Sequence, residues 1–122
     1  MNRKHILVAD DEPMNRKLLS EVLDACGYRI TAVENGAEAA ALLATNDFDA
    51  IITDLHMPGG DGIELARQVR RSGKAIPIFL VTIDGESLAR EDRAQVVLKP
   101  KPLSIRKLLE ALETEFDKEP PG

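Results

Sequence analysis

The chain of 122 residues has no tryptophan, one tyrosine, three phenylalanines and one cysteine. So few aromatics exclude a stacking platform for nucleic-acid bases and leave the core to aliphatic side chains. A lone cysteine, Cys26, can form neither an internal disulfide nor a cysteine-ligated zinc site, which fits a reducing, cytoplasmic compartment. Cys26 falls on an apolar helical stripe and is expected there as a small buried hydrophobe. No apolar run approaches the roughly 20 residues that cross a bilayer. Met1-Asn-Arg-Lys4 leads into a short strand rather than a signal segment, so no membrane partner is expected. Basic charge is in the minority, with 16 Lys and Arg against 21 Asp and Glu, a formal net charge of −5. That balance argues against direct nucleic-acid binding and makes a cation the natural charged ligand. The one basic cluster, Arg67, Arg70, Arg71 and Lys74, reads as a solvated helix face that complements the helix dipole.

What is present is a 43% hydrophobic composition, enough for one core. Short, near-continuous apolar runs alternate with helical patterns, the mark of a parallel sheet buried on both faces. Strands are expected at His5–Ala9, Arg29–Val33, Ala50–Thr53, Ile76–Thr82 and Gln95–Leu98. Helix one carries Met14, Leu18, Leu19, Val22, Leu23 and Cys26 on one stripe and closes at Gly27. Further helices are expected over Gly36–Thr45, over Gly62–Ser72 with Gly73 beyond its end, and from an N-cap at Ser104 through Phe116. Between Gly85 and Arg93 only Leu88 and Ala89 are apolar, so a fourth helix is expected to be short or irregular. The pattern describes an α/β, doubly wound, five-stranded parallel sheet over residues 1–117, with 118–122 as a disordered tail or linker stub.

In such sheets ligands bind beyond the carboxyl ends of the strands. There the sequence places Asp10, Asp11 and Glu12 after strand one, Asp54 after strand three, Thr82 at the end of strand four and Lys99 after strand five. Carboxylates gathered together repel, and a hard divalent cation such as Mg²⁺, which takes oxygen ligands and leaves room for phosphate oxygens, relieves them. With a cation present, Asp54 becomes a nucleophile for a phosphoryl group, and Thr82 and Lys99 become donors to its oxygens. Singly, each residue has a plainer role: Asp11 as a helix cap before Glu12-Pro13, Asp54 as a turn residue, and Lys99-Pro-Lys-Pro102 as a rigid connection. It is their joint placement at the ends of four strands that argues for chemistry.

These residues resemble the receiver domain of two-component response regulators. Ile6-Leu-Val-Ala-Asp-Asp-Glu-Pro13 is similar to that family's first strand and acidic pair. Ile51-Ile-Thr-Asp-Leu-His-Met-Pro58 with Asp61-Gly62 is similar to its phosphoacceptor segment, and Val81-Thr82 and Leu98-Lys-Pro100 to its last two signatures. The resemblance spans Lys4 to Phe116 and implies a flavodoxin-like strand order 2-1-3-4-5. It implies that Asp54 accepts a phosphoryl group from a phosphohistidine on a histidine kinase or a histidine phosphotransfer domain. Asp11, Asp54 and the backbone carbonyl of His56 would bind Mg²⁺ directly, Asp10 through water, and the peptide bond before Pro100 would be cis. Lys99 would pair with the phosphoryl group. Such a domain is a signalling module that assists its own phosphorylation and dephosphorylation rather than an enzyme, and its output would lie in a partner protein or an adjoining kinase domain.

Two positions and one spacing depart from that pattern. Ile83 stands after Thr82, where the family usually has a small residue that leaves the phosphoryl site open. Val96, three residues before Lys99, replaces the aromatic whose rotation reports phosphorylation in many members. Thr82 and Lys99 are 17 positions apart, a short span. The missing aromatic and the Pro120-Pro121 tail favour a hybrid-kinase or stand-alone receiver over one that drives transcription, while Ile83 and Val96 give some weight to a domain that only docks. An aspartate-nucleophile phosphatase of the haloacid-dehalogenase type needs a second Asp two residues after the nucleophile, where His56 stands, and no glycine-rich loop of a nucleotide-binding module is present.

Overall fold

Five parallel strands and five helices alternate along the chain in a computed structural model that describes residues 3–57, 59, 61–83, 85 and 88–118. The strands are β1 (His5–Ala9), β2 (Arg29–Val33), β3 (Ala50–Asp54), β4 (Ile78–Thr82) and β5 (Val97–Pro100). The helices are α1 (Pro13–Ala25), α2 (Gly36–Thr45), α3 (Gly62–Arg71), α4 (Arg90–Arg93) and α5 (Ile105–Asp117). The sheet order is β2-β1-β3-β4-β5, as the resemblance implied. The expected tail lies outside the described residues from 119 onward.

Side chains alternate across each strand, so the two faces carry separate cores. Ile6 and Val8 of β1, Ile52 of β3 and Phe79 of β4 pack with Leu19 and Leu23 of α1 and Leu108 and Leu112 of α5. Leu7, Ala9, Ile51 and Ile78 face the other way, onto Ala39 of α2 and Leu65, Ala66 and Val69 of α3. Each fully buried aliphatic side chain stabilises the fold by about 1.5–3 kcal/mol, so these layers dominate stability.

Helix ends follow local chemistry. Asn35, Asp61 and Ser104 accept hydrogen bonds from the N–H groups of Glu38, Glu64 and Lys107 at 2.8, 2.8 and 3.2 Å, capping α2, α3 and α5. Gly27 and Gly73, at φ +94° and +86°, turn the chain out of α1 and α3 where a side chain would be strained.

Several expectations change. β4 begins at Ile78 rather than Ile76, because Pro77 has no N–H for the ladder. β5 begins two residues late, because Gln95 and Val96 donate back to the carbonyls of Asp92 and Arg93 and are used up in a turn. Cys26 is exposed, since it is the C-cap residue of α1 where the chain turns away from the core. Met14 and Leu18, on the same expected stripe, are 78% and 50% exposed.

The expected weak helix is a single turn, α4, with no buried residue. Polar bonds hold it instead. Arg67 grips Asp92 with Nε to Oδ1 at 3.0 Å and Nη2 to Oδ2 at 2.7 Å. Arg70 donates to the carbonyls of Lys74, Ile76 and Gln95 at 3.0, 2.9 and 2.8 Å, and Lys74 Nζ reaches the Leu43 carbonyl at 3.1 Å. Three of the four basic residues, Arg67, Arg70 and Lys74, are therefore fasteners between α3 and its neighbours, while Arg71 is exposed and pairs with Glu64 of the same helix.

Candidate functional site

β1, β3 and β4 end side by side, and their last residues and the loops that follow build the site. Asp54, the final residue of β3, is opposite Val81, so Thr82 stands one step beyond it on the neighbouring strand. Both are buried, at 6% and 4% exposure. Asp10 follows β1 and is also buried, whereas Asp11 is exposed. One carboxylate oxygen from each of Asp10, Asp11 and Asp54 lies within 4.8 Å of the other two. Three oxygens so close can share a hard divalent cation.

Local bonds set this geometry. Asp10 N–H donates to the Val33 carbonyl at 3.1 Å, and Asp10 Oδ1 accepts the Glu12 N–H at 2.9 Å. The N-cap of α1 is Glu12, with no side-chain cap bond, so Asp11 is not spent on capping. Burial raises the Asp10 carboxyl above its usual pKa, and the Asp54 and Asp11 charges add to it, while the Glu12 N–H and Lys101 oppose it. Asp54 is held through its backbone. Thr53 Oγ1 donates to the Asp54 carbonyl at 2.9 Å, and a Cβ added to Gly62 would come within 2.4 Å of that oxygen, so the start of α3 packs on Asp54 with no room for a side chain.

The lysine at this site is Lys101. Its Nζ is 2.9 Å from Asp54 Oδ2, and the cis peptide bond is Lys101–Pro102 rather than the bond before Pro100. Lys99 is still inside β5, opposite Val81, and has no bond to Asp54. Lys99-Pro-Lys-Pro102 repeats every two residues, and a two-residue slip keeps the same face, so alternation could not choose between the two lysines. With Lys101 as reference, the residue three positions before it is Leu98, which packs against Leu55, Ile63 and Leu80 and is again not aromatic. The span from Thr82 becomes 19 positions. Val96 is half-buried beside the same cluster, His56 is exposed, and Ile83 is 81% exposed.

Beside Asp54 a cavity of about 310 Å³ runs between α1 and the start of α5. Asp10, Asp54 and Lys101 line it together with apolar Leu18, Leu103 and Ile105. It offers a cation-friendly floor and an apolar wall.

Residues 6–113 match the profile of the response regulator receiver domain. The chain belongs to that family. This receiver domain is 46% identical over 89 residues to the transcriptional regulatory protein ResD of Bacillus subtilis, covering 73% of the chain and 37% of ResD. It is 37% identical over 86 residues to the sensor protein EvgS of Escherichia coli K12, covering 70% of the chain and 7% of EvgS. The receiver thus spans well under half the length of these curated relatives. Among solved structures, the response regulator TrrA of Thermotoga maritima, in complex with Mg²⁺-BeF, is 34% identical at TM-score 0.79, covering 91% of this chain and 97% of TrrA. A Francisella receiver domain is 26% identical at TM-score 0.86, covering 95% of this chain and 98% of its own. The chain is accordingly a receiver domain of two-component systems, and among the described residues no helix is long and apolar enough to cross a membrane.

Proposed function

We propose that Asp54 is the phosphoacceptor of this receiver and that Asp10, Asp11 and Asp54, with the backbone carbonyl of His56, hold Mg²⁺. The observation that carries the reading is the triad of carboxylate oxygens within 4.8 Å of one another, with Asp54 at its buried end and paired to Lys101. All the donors are hard oxygens, and two of the carboxylates, Asp10 and Asp54, are buried, which suits Mg²⁺. When bound, the cation neutralises charge that gathers on phosphoryl oxygens.

The donor is a phosphohistidine of a histidine kinase or a histidine phosphotransfer domain. The Asp54 carboxylate attacks phosphorus in line; the new P–O bond forms as the P–N bond to imidazole breaks, and the imidazole leaves with the electron pair. Lys101, rather than Lys99, transfers its ion pair from Asp54 to the phosphoryl group, and the Thr82 hydroxyl donates to another of its oxygens. The acyl phosphate is the signal; the domain assists its formation and loss but converts no other substrate. An output protein or an adjoining kinase domain reads it.

Transfer from a radiolabelled phosphohistidine domain tests the assignment. Label should move to the wild-type chain and not to Asp54→Asn; label retained by Asp54→Asn would place the acceptor elsewhere.

A further inference from the structure

Every polar group of the Asp10 backbone and one oxygen of its carboxylate is held by the protein, and one of these holds comes from a side chain that the proposed chemistry leaves unused. Arg16, in the second turn of α1, donates from Nη1 to the Asp10 carbonyl at 2.8 Å. Its other arm, Nη2, is 3.9 Å from Glu34, the residue that follows β2, and its side chain is only 21% exposed. The Asp10 N–H is fixed by the Val33 carbonyl, next to Glu34. Arg16 thus ties the peptide that joins Asp10 to Asp11 to both α1 and the end of β2.

We propose that Arg16 is the positioning residue of the cation site, orienting the Asp10–Asp11 peptide so that both carboxylates converge on Asp54. The proposal rests on the reading of these three acids as a Mg²⁺ site. Two physical effects of Arg16 have opposite signs. As a positive charge near a cation site it repels Mg²⁺, so its removal should tighten binding. As a clamp on the ligand loop its removal should weaken binding, and outer-shell partners of metal ligands commonly matter by about 10- to 100-fold. The geometry favours the clamp, because the guanidinium is aimed at a backbone carbonyl and not at a carboxylate. The charges that move the Asp10 carboxyl are those of Asp54, Lys101 and Asp11.

Calorimetric titration of the whole chain with Mg²⁺ decides between them, using wild type, Arg16→Met, Arg16→Gln and, as a control destabilised far from the site, Ile78→Val at the opposite end of β4. The clamp predicts that both Arg16 variants bind Mg²⁺ about tenfold more weakly while Ile78→Val binds as wild type does. Should Arg16→Met fail to fold, the more conservative Arg16→Gln carries the test. Binding by a folded Arg16 variant as tight as wild type, or tighter, overturns the proposal, as does an equal weakening in Ile78→Val. Failure of the underlying reading is distinct: wild type would then show no saturable Mg²⁺ binding, or Asp11→Asn would bind as well as wild type.

Discussion

Gly62→Ala examines how tightly the strand that carries Asp54 is packed. A Cβ at Gly62 would lie 2.4 Å from the Asp54 carbonyl oxygen, 3.2 Å from its carbon and 2.7 Å from Leu80 Cδ1. Contacts below 3.0 Å do not persist, so the Asp54 carbonyl would have to retreat by at least about 0.6 Å. Leu80 can rotate, but the carbonyl belongs to the central strand and is bonded by Thr53 Oγ1. Overpacking of this kind costs about 1–3 kcal/mol, against which the alanine returns up to about 1 kcal/mol through helix propensity and a less mobile unfolded chain. Taking the middle of that cost, about 2 kcal/mol, the net destabilisation is about 1–2 kcal/mol, or a melting point lower by roughly 4–8 °C for a domain of this size. Far-UV circular dichroism is the suitable probe, as the chain has no tryptophan. Because the displaced carbonyl carries the Asp54 side chain with it, phosphate uptake should fall as well. A variant that melts at or above wild type, with uptake unchanged, would refute the reasoning.

Three further perturbations have defined outcomes. Lys101→Ala should leave the fold intact and abolish any structural response to phosphorylation, followed by amide shifts in β4 and β5, while Lys99→Ala should respond as wild type does; the reverse pattern would return the role to Lys99. Asp10→Asn should raise the melting point of the Mg²⁺-free protein at neutral pH, because burial and the neighbouring Asp54 and Asp11 charges hold the Asp10 carboxyl above its usual pKa, and should weaken Mg²⁺ binding; an unchanged melting point would mean the acids do not strain one another. His5 is held below its usual pKa of 6.5 by burial and by Arg29, so the folded state resists its protonation. Its contribution is fully present above pH 6.5 and is lost as pH falls from there through the folded value, so wild type should lose more stability than His5→Gln below pH 6.5. Parallel pH–stability curves would refute this.

Much of this molecule can be read from its residues. Continuous aliphatic runs such as Ile6-Leu-Val8, alternating with helical patterns, read as strands covered on both faces, and the Ser104 cap marks its helix by chemistry alone. Asp10, Asp11, Asp54 and Thr82 are legible because strand ends in a parallel sheet converge. What escapes is whatever depends on register or on polar contacts between distant segments. The choice of Lys101 over Lys99 rests on a turn at Gln95 and Val96 that no apolar period reports. Arg67 and Arg70 look like a solvated face until their partners, Asp92 and the carbonyls around Gln95, are known. Arg16 gives no signal at all, since its partner is a backbone carbonyl. Met14, Leu18 and Cys26 have the right period for burial, but the core under α1 reaches only Leu19 and Leu23.

The most direct test of the central claim is the intact mass of the protein after incubation with a small phosphodonor, with and without Mg²⁺, beside an Asp54→Asn control. The account predicts one phosphate adduct that requires Mg²⁺ and is absent from the control. An adduct of equal yield without Mg²⁺, or one that persists in Asp54→Asn, would contradict it.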